Sequence, residues 1–360
     1  MEQPKGFVNP KYPNRVCKLK SSIYGLKQAS RQWNKRFDDE IKKFGFTQNR
    51  NEPCVYLKAS GSNVTFLILY IDDILIMGNN ILMLQDVKSY LGRCFAMKAL
   101  GEAAYILGIK IYRDRSRRLI GLCQSAYIEK ILNRFHMENS KRESIPMQEK
   151  LRLCKSQGAS TPVELKRMQN VPHASVVGSI MNTEDMFLVY GGDIKRELRV
   201  SCYTDAGYLT DADDLKSKNG YVFVLNEGVV DWKSTKQRIF ATSSVEVDYI
   251  AAYDASKEAV WVRKFIYGMG VVPTIEEPIN MYCDNTGAIT IANESGITKG
   301  ARHFRAKVYY IREVIEYGDI KLEKVHTYEN LADPFTKALA FPKHSEHTKN
   351  IGMFPASSLM

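Results

Sequence analysis

Apolar positions along this chain recur with two different periods. Between residues 18 and 46 the spacing is helical. Trp33, Phe37, Ile41 and Phe44 lie four, four and three apart, with Arg36, Asp38 and Lys42 on the other face. Two unbroken apolar runs follow, 66–71 and 74–77, each the length of a strand, and they flank the pair Asp72-Asp73. Residues 105–112 and 119–123 read as a second hairpin around the turn-like 113–118. A short helix is expected over 127–135, with Ile128, Ile131, Leu132 and Phe135 on one side. Residues 139–185 carry no strong period and are rich in Lys, Gln, Ser and Pro, which predicts a linker with weak helices.

Beyond residue 185 the texture changes. Strands are expected at 200–208, 220–225 and 229–232. A long helix follows, with Ala251, Ala255, Ala259, Val262 and Ile266 along its buried stripe. Then come a strand at 279–283, a short helix through Ile289, and a helix carrying Phe304, Val308, Ile311 and Ile315. A strand at 320–325 and a short helix at 330–339 complete the series. Three strands, helix, strand, helices, strand, helix is the pattern of a mixed α/β (α+β) domain.

Of the 360 residues, 44% are hydrophobic and 25% charged, a globular composition with length for two domains. The net charge is +11, and residues 1–50 hold twelve Lys/Arg against four Asp/Glu. Such an excess fits a polyanionic partner, though a merely solvated basic face would read the same way. Seven widely spaced cysteines without a C-x-x-C pair argue against a disulfide framework and a structural zinc site. No apolar run approaches the length of a membrane span, and the first residues do not resemble a signal peptide. The expectation is an intracellular, cytoplasmic protein, with association with a particle or the nucleus left open. The sequence does not speak to oligomeric state.

Asp72 and Asp73 are two adjacent acids inside an apolar hairpin. Unpaired buried charge is costly, so they either sit exposed at a turn or bind cations. Paired carboxylates that hold divalent metals are a common device for phosphoryl chemistry, whereas the plain reading is an ordinary hairpin tip. A second set of acids lies at strand ends and helix starts: Asp205, Glu246, Asp248, Asp284 and Asp333. Singly, each is explained as a helix cap or first-turn acid. Together, at such junctions, they favour one site.

Three further stretches stand in order along the chain: Tyr24-Gly25-Leu26-Lys27-Gln28-Ala29-Ser30-Arg31-Gln32-Trp33, then Tyr70-Ile71-Asp72-Asp73, then Leu100-Gly101-Glu102 with Tyr105-Ile106-Leu107-Gly108-Ile109. In order and spacing they are similar to the reverse transcriptase motifs of the copia-type LTR-retrotransposon Pol polyproteins, which the chain resembles. The resemblance implies a palm in which Asp72 and Asp73 ligate metal while Lys27, Gln28 and Arg31 lie near nucleotide and template. It also implies a third carboxylate ahead of the family's Glu-Gln-Pro-x-Gly-Phe. Here Glu2-Gln3-Pro4-Lys5-Gly6-Phe7 opens the chain, so the third acid and the fingers are expected to be missing and polymerisation lost.

From about residue 188 to 352 the chain resembles the family's ribonuclease H, on Tyr203-Thr204-Asp205-Ala206, Trp232-Lys233-Ser234-Thr235-Lys236-Gln237, Ala251-Ala252, Lys257-Glu258-Ala259-Val260-Trp261, Ile311-Arg312-Glu313 and Asp333-Pro334-Phe335-Thr336-Lys337. This implies Mg2+- or Mn2+-dependent cleavage of RNA in an RNA–DNA hybrid, with Asp205, Asp284 and Asp333 as ligands. A fourth ligand would be Glu246 or Asp248. Counting back from Ala251-Ala252 favours 248, where the family has Glu and this chain the shorter Asp, so that ligand is expected to be drawn out of place. His303 matches a histidine that assists product release. Val176-Val177-Gly178-Ser179-Ile180-Met181 and Asp185-Met186-Phe187-Leu188-Val189-Tyr190 match the two sides of a family segment of several dozen residues that is missing near 182. The expected organisation is 1–138 partial reverse transcriptase palm, 139–187 truncated connection, 188–352 ribonuclease H-like mixed-sheet domain and 353–360 tail. The implied partners are nucleic acids: an RNA–DNA hybrid and a primer–template. Two alternatives remain: an inert degenerate copy, and a basic nucleic-acid-binding protein without catalysis.

Overall fold

The computed structural model describes all residues except 1, 21, 24, 138, 140–153, 170–184, 192–197, 295–303 and 360, and the side chains at 273 and 274. The chain forms two compact units, Met1–Gly101 and Glu102–Met360.

In the first unit, helix α1 (Ala29–Lys43) precedes the antiparallel strands β1 (Thr47–Gln48), β2 (Val55–Ser60), β3 (Asn63–Tyr70) and β4 (Asp73–Gly78), hydrogen-bonded in that order; α2 (Ile81–Cys94) follows. The helical periodicity expected from residue 18 begins only at Ala29. Gly25, at φ +89°, sits in the left-handed region, which ends any regular helix there. The helical stripe and the strand alternation meet in one core. Phe37 and Ile41 from α1 pack with Tyr56, Leu67 and Leu69 from the sheet and with Val87, Leu91 and Phe95. On β3, Thr65, Leu67 and Leu69 point inward, while Phe66 and Ile68 are only half-buried. Tyr70, Ile71 and Met77 are exposed.

The second unit contains two sheets. One has the order β14-β8-β7-β6-β5: β14 (Met353–Pro355), β8 (Met186–Gly191), β7 (Leu119–Cys123), β6 (Ile109–Asp114) and β5 (Tyr105–Ile106), all antiparallel. The hairpin over 105–123, expected with the palm, thus belongs to the second unit. Its β7 pairs with β8 in the register Leu122↔Leu188. Residues 353–360, expected as a tail, supply β14 and the buried Leu359, so they cover what would be an open strand edge. The join near residue 182 lies outside the described residues.

The other sheet has the order β11-β10-β9-β12-β13: β11 (Gly228–Lys236), β10 (Lys218–Leu225), β9 (Val200–Gly207), β12 (Ile279–Cys283) and β13 (Ile320–Lys324). The β9–β11 meander is antiparallel, and β12 and β13 run parallel to β9. Helices α5 (Ser244–Tyr267), α6 (Thr286–Asn293) and α7 (Arg305–Glu316) belong to this half, while α3 (Ser125–Arg134), α4 (Pro162–Gln169) and α8 (Phe341–Asn350) lie elsewhere in the unit. Ala252, Ala255 and Ala259 let α5 lie close over Cys202, Phe223 and Met281, and α7 adds Val308, Ile311 and Val314 to that core. This is the mixed sheet that the strand and helix sequence predicts. One difference concerns 330–339, expected as a helix: only a 3₁₀ turn, Asp333–Phe335, forms. Asn330 spends its side chain on the Thr204 carbonyl and the Ala332 amide, and Pro334 has no amide to donate.

Candidate active site

The register of the mixed sheet builds this site. Cys283 on β12 pairs with Thr204 on β9, so the next residues, Asp284 and Asp205, stand side by side at the strand ends. Asp248 reaches the same point from the start of α5. Asp205, Asp248 and Asp284 each bring a carboxylate oxygen within 4.8 Å of the others. Gly220 pairs with Asp205 on the other flank. A Cβ at Gly220 would lie 2.6 Å from Thr336 Cγ2 and 3.0 Å from Phe335 Cβ, so only glycine lets the 333–336 turn come this close to the sheet. That turn delivers Asp333, 5% exposed, and lets Thr336 Oγ1 donate to Asp205 Oδ2.

Asp333, expected as a ligand, is not among the three acids whose oxygens converge. Lys337 Nζ lies 2.9 Å from Asp333 Oδ1 and 3.7 Å from Asp205 Oδ2, so an ammonium joins the two carboxylates. Glu246 does not join the cluster. Ser243 caps α5 by accepting from the Glu246 amide, and the Glu246 carboxylate accepts from the amide and hydroxyl of Thr242 at 2.8 and 2.9 Å. This reciprocal capping holds Glu246 at the helix end. Asp248 therefore occupies the place left open between 246 and 248. Its shorter side chain reaches the other acids, contrary to the expectation that it is drawn out of place. Asn285 steers it: Asn285 Oδ1 caps α6 by accepting from Ala288, and Nδ2 donates to Asp248 Oδ2 at 2.8 Å. Asp248 Oδ1 is buried and lacks a well-formed hydrogen bond.

Burying several acids together costs charge. Burial pushes Asp248 up to about 7 despite the Asn285 hydrogen bond, with Asp205 and Asp284 adding repulsion. Burial likewise raises Asp333 to about 6 against the pull of Lys337, and raises Asp205. Burial alone would depress Lys337, but Asp205 and Asp333 more than offset it and its pKa is raised. Carboxylate oxygens with an unsatisfied lone pair and mutual repulsion are the donor set of a hard divalent cation. Two oxygens on opposite sides of a magnesium ion are about 4.2 Å apart, close to the spacing here.

In the first unit, Asp72 and Asp73 sit at the exposed tip of the β3–β4 hairpin, where Tyr70 pairs with Asp73 and Ile71 takes φ +53°. Trp33 Nε1 donates to the Ile71 carbonyl at 2.9 Å and ties the turn to α1. Lys27, Gln28 and Arg31 are exposed at the start of that helix. Among the described residues, no third metal-ligating side chain joins Asp72 and Asp73. Replacing Trp33 with Phe removes one donor from a partly exposed carbonyl. The expected result is a loss of about 1 kcal/mol and faster amide exchange at Asp72 and Asp73. Unchanged exchange there would show that the Trp33 bond does not restrain the turn. His303 lies outside the described residues. Sequence reasoning assigned no role to Asn285, Thr336 and Lys337. Their signals were an Asx cap straight after a strand and a hydroxyl and a lysine three and four residues past Asp333.

A reverse transcriptase (RNA-dependent DNA polymerase) family profile matches residues 1–149. The chain is 35% identical, over 98% of its length, to the retrovirus-related Pol polyprotein from transposon TNT 1-94 of Nicotiana tabacum. The chain belongs to the copia-type retrotransposon Pol polyproteins. It spans 29% of the tobacco relative's length. It also covers 26% of the Pol polyprotein from transposon RE1 of Arabidopsis thaliana, to which it is 28% identical over 98% of itself. A putative transposon Ty5-1 protein of Saccharomyces cerevisiae is 29% identical over 72% of this Pol segment and 94% of its own length. The tobacco alignment runs over 391 positions, more than the chain's 360 residues, so the relative carries residues lacking here. A ribonuclease H1 isolated from compost is 15% identical over 38% of the chain and 92% of its own length, at a TM-score of 0.30, too slight to argue from. The reverse transcriptase match covers the first unit and the start of the second, and the mixed sheet lies beyond it. Among the described residues, no helix is long and apolar enough to cross a membrane.

Proposed function

We propose that the second unit of this Pol segment cleaves the RNA strand of an RNA–DNA hybrid with a divalent cation, magnesium or manganese. The observation that carries this reading is the convergence of Asp205, Asp248 and Asp284 within 4.8 Å. These residues would hold the cation, which when bound activates water for attack on phosphorus and offsets charge on the leaving oxygen. Asp248, with a pKa near 7, gives up its proton to bind. Asn285 orients Asp248, and Thr336 and Lys337 orient Asp205. The deciding experiment is cleavage of a labelled RNA–DNA hybrid by the full chain with magnesium or manganese. No cleavage with either ion would overturn the reading.

The first unit is proposed not to polymerise in this chain. Among the described residues no third carboxylate joins these two exposed acids, and two alone do not hold two ions in line. The expected result is no primer extension on an RNA template. Magnesium-dependent extension that vanishes in Asp72→Asn would overturn this. A non-catalytic reading draws support from the +11 charge and the exposed Lys27 and Arg31. It predicts salt-sensitive nucleic-acid binding without cleavage.

A further inference from the structure

We propose that Gln237 is a positioning residue for Asp248: with Asn219 it locks the first turns of α5 to the strand that carries Asp205, and so sets where the Asp248 carboxylate meets the other two acids. The inference rests on the metal-site reading above and adds a residue that acts through the helix rather than on the cation.

Gln237 follows directly on β11 and is only 3% exposed. Its backbone amide donates to the Ser217 carbonyl at 2.8 Å, which fixes where the side chain starts. Nε2 donates to the Val247 carbonyl at 3.0 Å and to Asn219 Oδ1. Asn219, itself buried, passes the connection on, because its Nδ2 donates to Asp254 Oδ2 at 2.9 Å. Val247 and Asp254 stand about two turns apart on α5, so the helix is fastened at two heights. On β10, Asn219 pairs with Ala206 and the next residue, Gly220, pairs with Asp205. The network therefore sets α5 against the strand position that presents Asp205.

Apolar contacts alone do not fix this end of α5. Val247 and Ile250 pack with Ala241, against Ala206 and Ile239, which sets the distance between helix and sheet. Such contacts are non-directional and tolerate small slides along the helix axis. A hydrogen bond to one particular carbonyl is directional and does not. Asp248 follows Val247 in the chain, and its oxygen lies within 4.8 Å of those of Asp205 and Asp284. Misplacement by about 1 Å at such a site is enough to lose function. The other end of the Gln237 amide points to the same role. Among the described residues, Gln237 Oε1 is buried with no hydrogen-bond partner. A buried acceptor left unpaired is costly, and a methionine would fill similar volume without it. Both amide protons nevertheless go to Val247 and Asn219.

The test is manganese binding to the full chain, followed by the electron paramagnetic resonance of free Mn2+. The quantity read is the affinity of the binding that Asp248→Asn removes, which sets aside ions held elsewhere. Gln237→Met should weaken that binding about tenfold, and Asn219→Leu by a similar factor. The double variant should be little weaker than either, because both cut one network. Ser256→Ala removes another fully buried polar group from α5, whose hydroxyl donates to the Tyr253 carbonyl, and should leave the affinity unchanged. The metal-free melting temperature of Gln237→Met should stay within about 3 °C of wild type, since one unpaired acceptor, Oε1, is exchanged for another, Asn219 Oδ1. In hybrid cleavage, the loss should appear at low manganese and disappear at saturating manganese. Unweakened manganese binding in Gln237→Met overturns the proposal. So does an equal loss in Ser256→Ala, or a larger fall in melting temperature alongside the weakened binding, because Gln237 would then only stabilise the fold. If circular dichroism shows that Gln237→Met does not fold, Gln237→Asn, whose amide falls short of Val247, is read in the same way. If wild type and Asp248→Asn bind manganese alike, the metal site itself is wrong, and this proposal falls with it.

Discussion

Asparagine in place of Asp205, Asp248 or Asp284 is expected to lower hybrid cleavage by at least roughly 10²–10³-fold each. The substitution keeps volume and most hydrogen bonding, so it removes charge with little change in shape. Each of the three supplies an oxygen to one group spanning at most 4.8 Å, and losing one leaves two ligands for the cation. Glu246→Gln, two residues from Asp248, should change the rate less than about threefold, because its carboxylate serves Thr242 and the helix end. Asp248→Glu should reduce cleavage. The extra methylene displaces the oxygen now held by Asn285, and errors near 1 Å can lose about a hundredfold. Single-turnover rates on one hybrid would decide all of these. Cleavage by Asp284→Asn within twofold of wild type, or its abolition by Glu246→Gln, would sink the assignment.

Asp248→Asn is also expected to make the metal-free protein more stable than wild type at pH 8, by up to about 4 kcal/mol. Burial lifts Asp248 from 3.8 to about 7, so the folded state prefers the protonated acid. A raised carboxyl contributes stability below its unfolded pKa and loses it as pH rises through the folded value. The wild type therefore loses that contribution between about pH 4 and 7, whereas the amide has no proton to lose. Asp333, raised to about 6, acts in the same direction. His347, fully buried and pushed down to about 4, acts in the opposite direction between its folded value and its ordinary 6.5. The informative quantity is thus the difference between variant and wild type, which should be near zero at pH 4 and greatest at pH 8. Thermal melts should separate by on the order of 10 °C at pH 8. Added manganese should raise the wild type's melting temperature far more than the variant's. Parallel melting curves from pH 4 to 8 would show that Asp248 carries no such strain.

These two predictions concern acids that the sequence could name but not arrange. Strand and helix boundaries alone put Asp205, Asp248, Asp284 and Asp333 at junctions. They did not tell that Asp248 and not Glu246 turns inward, because both lie in the first turns of α5. The choice is made by Ser243 and Thr242, which engage Glu246. Nor did periodicity separate the 105–123 hairpin from the palm, since an isolated hairpin reads the same beside any sheet. Its place follows from β8, a short strand over Met186–Gly191 that pairs with β7 from far along the chain.

The sequence by itself determined the Pol lineage and the order of strands and helices, and it named Asp72, Asp73 and the junction acids as candidates. Local patterns suffice for these: helical and strand periods are set by which side chains must face a core, and motif spacing survives in linear order. Tertiary structure alone decided which carboxylate oxygens meet. It also decided that Asn285, Thr336 and Lys337 hold them, that Gly220 admits the 333–336 turn, and that residues 353–355 close a sheet. Each of these depends on register and on the approach of segments far apart in the chain. Such approach is governed by packing volume and by backbone groups needing partners, neither of which leaves a periodic trace in the sequence.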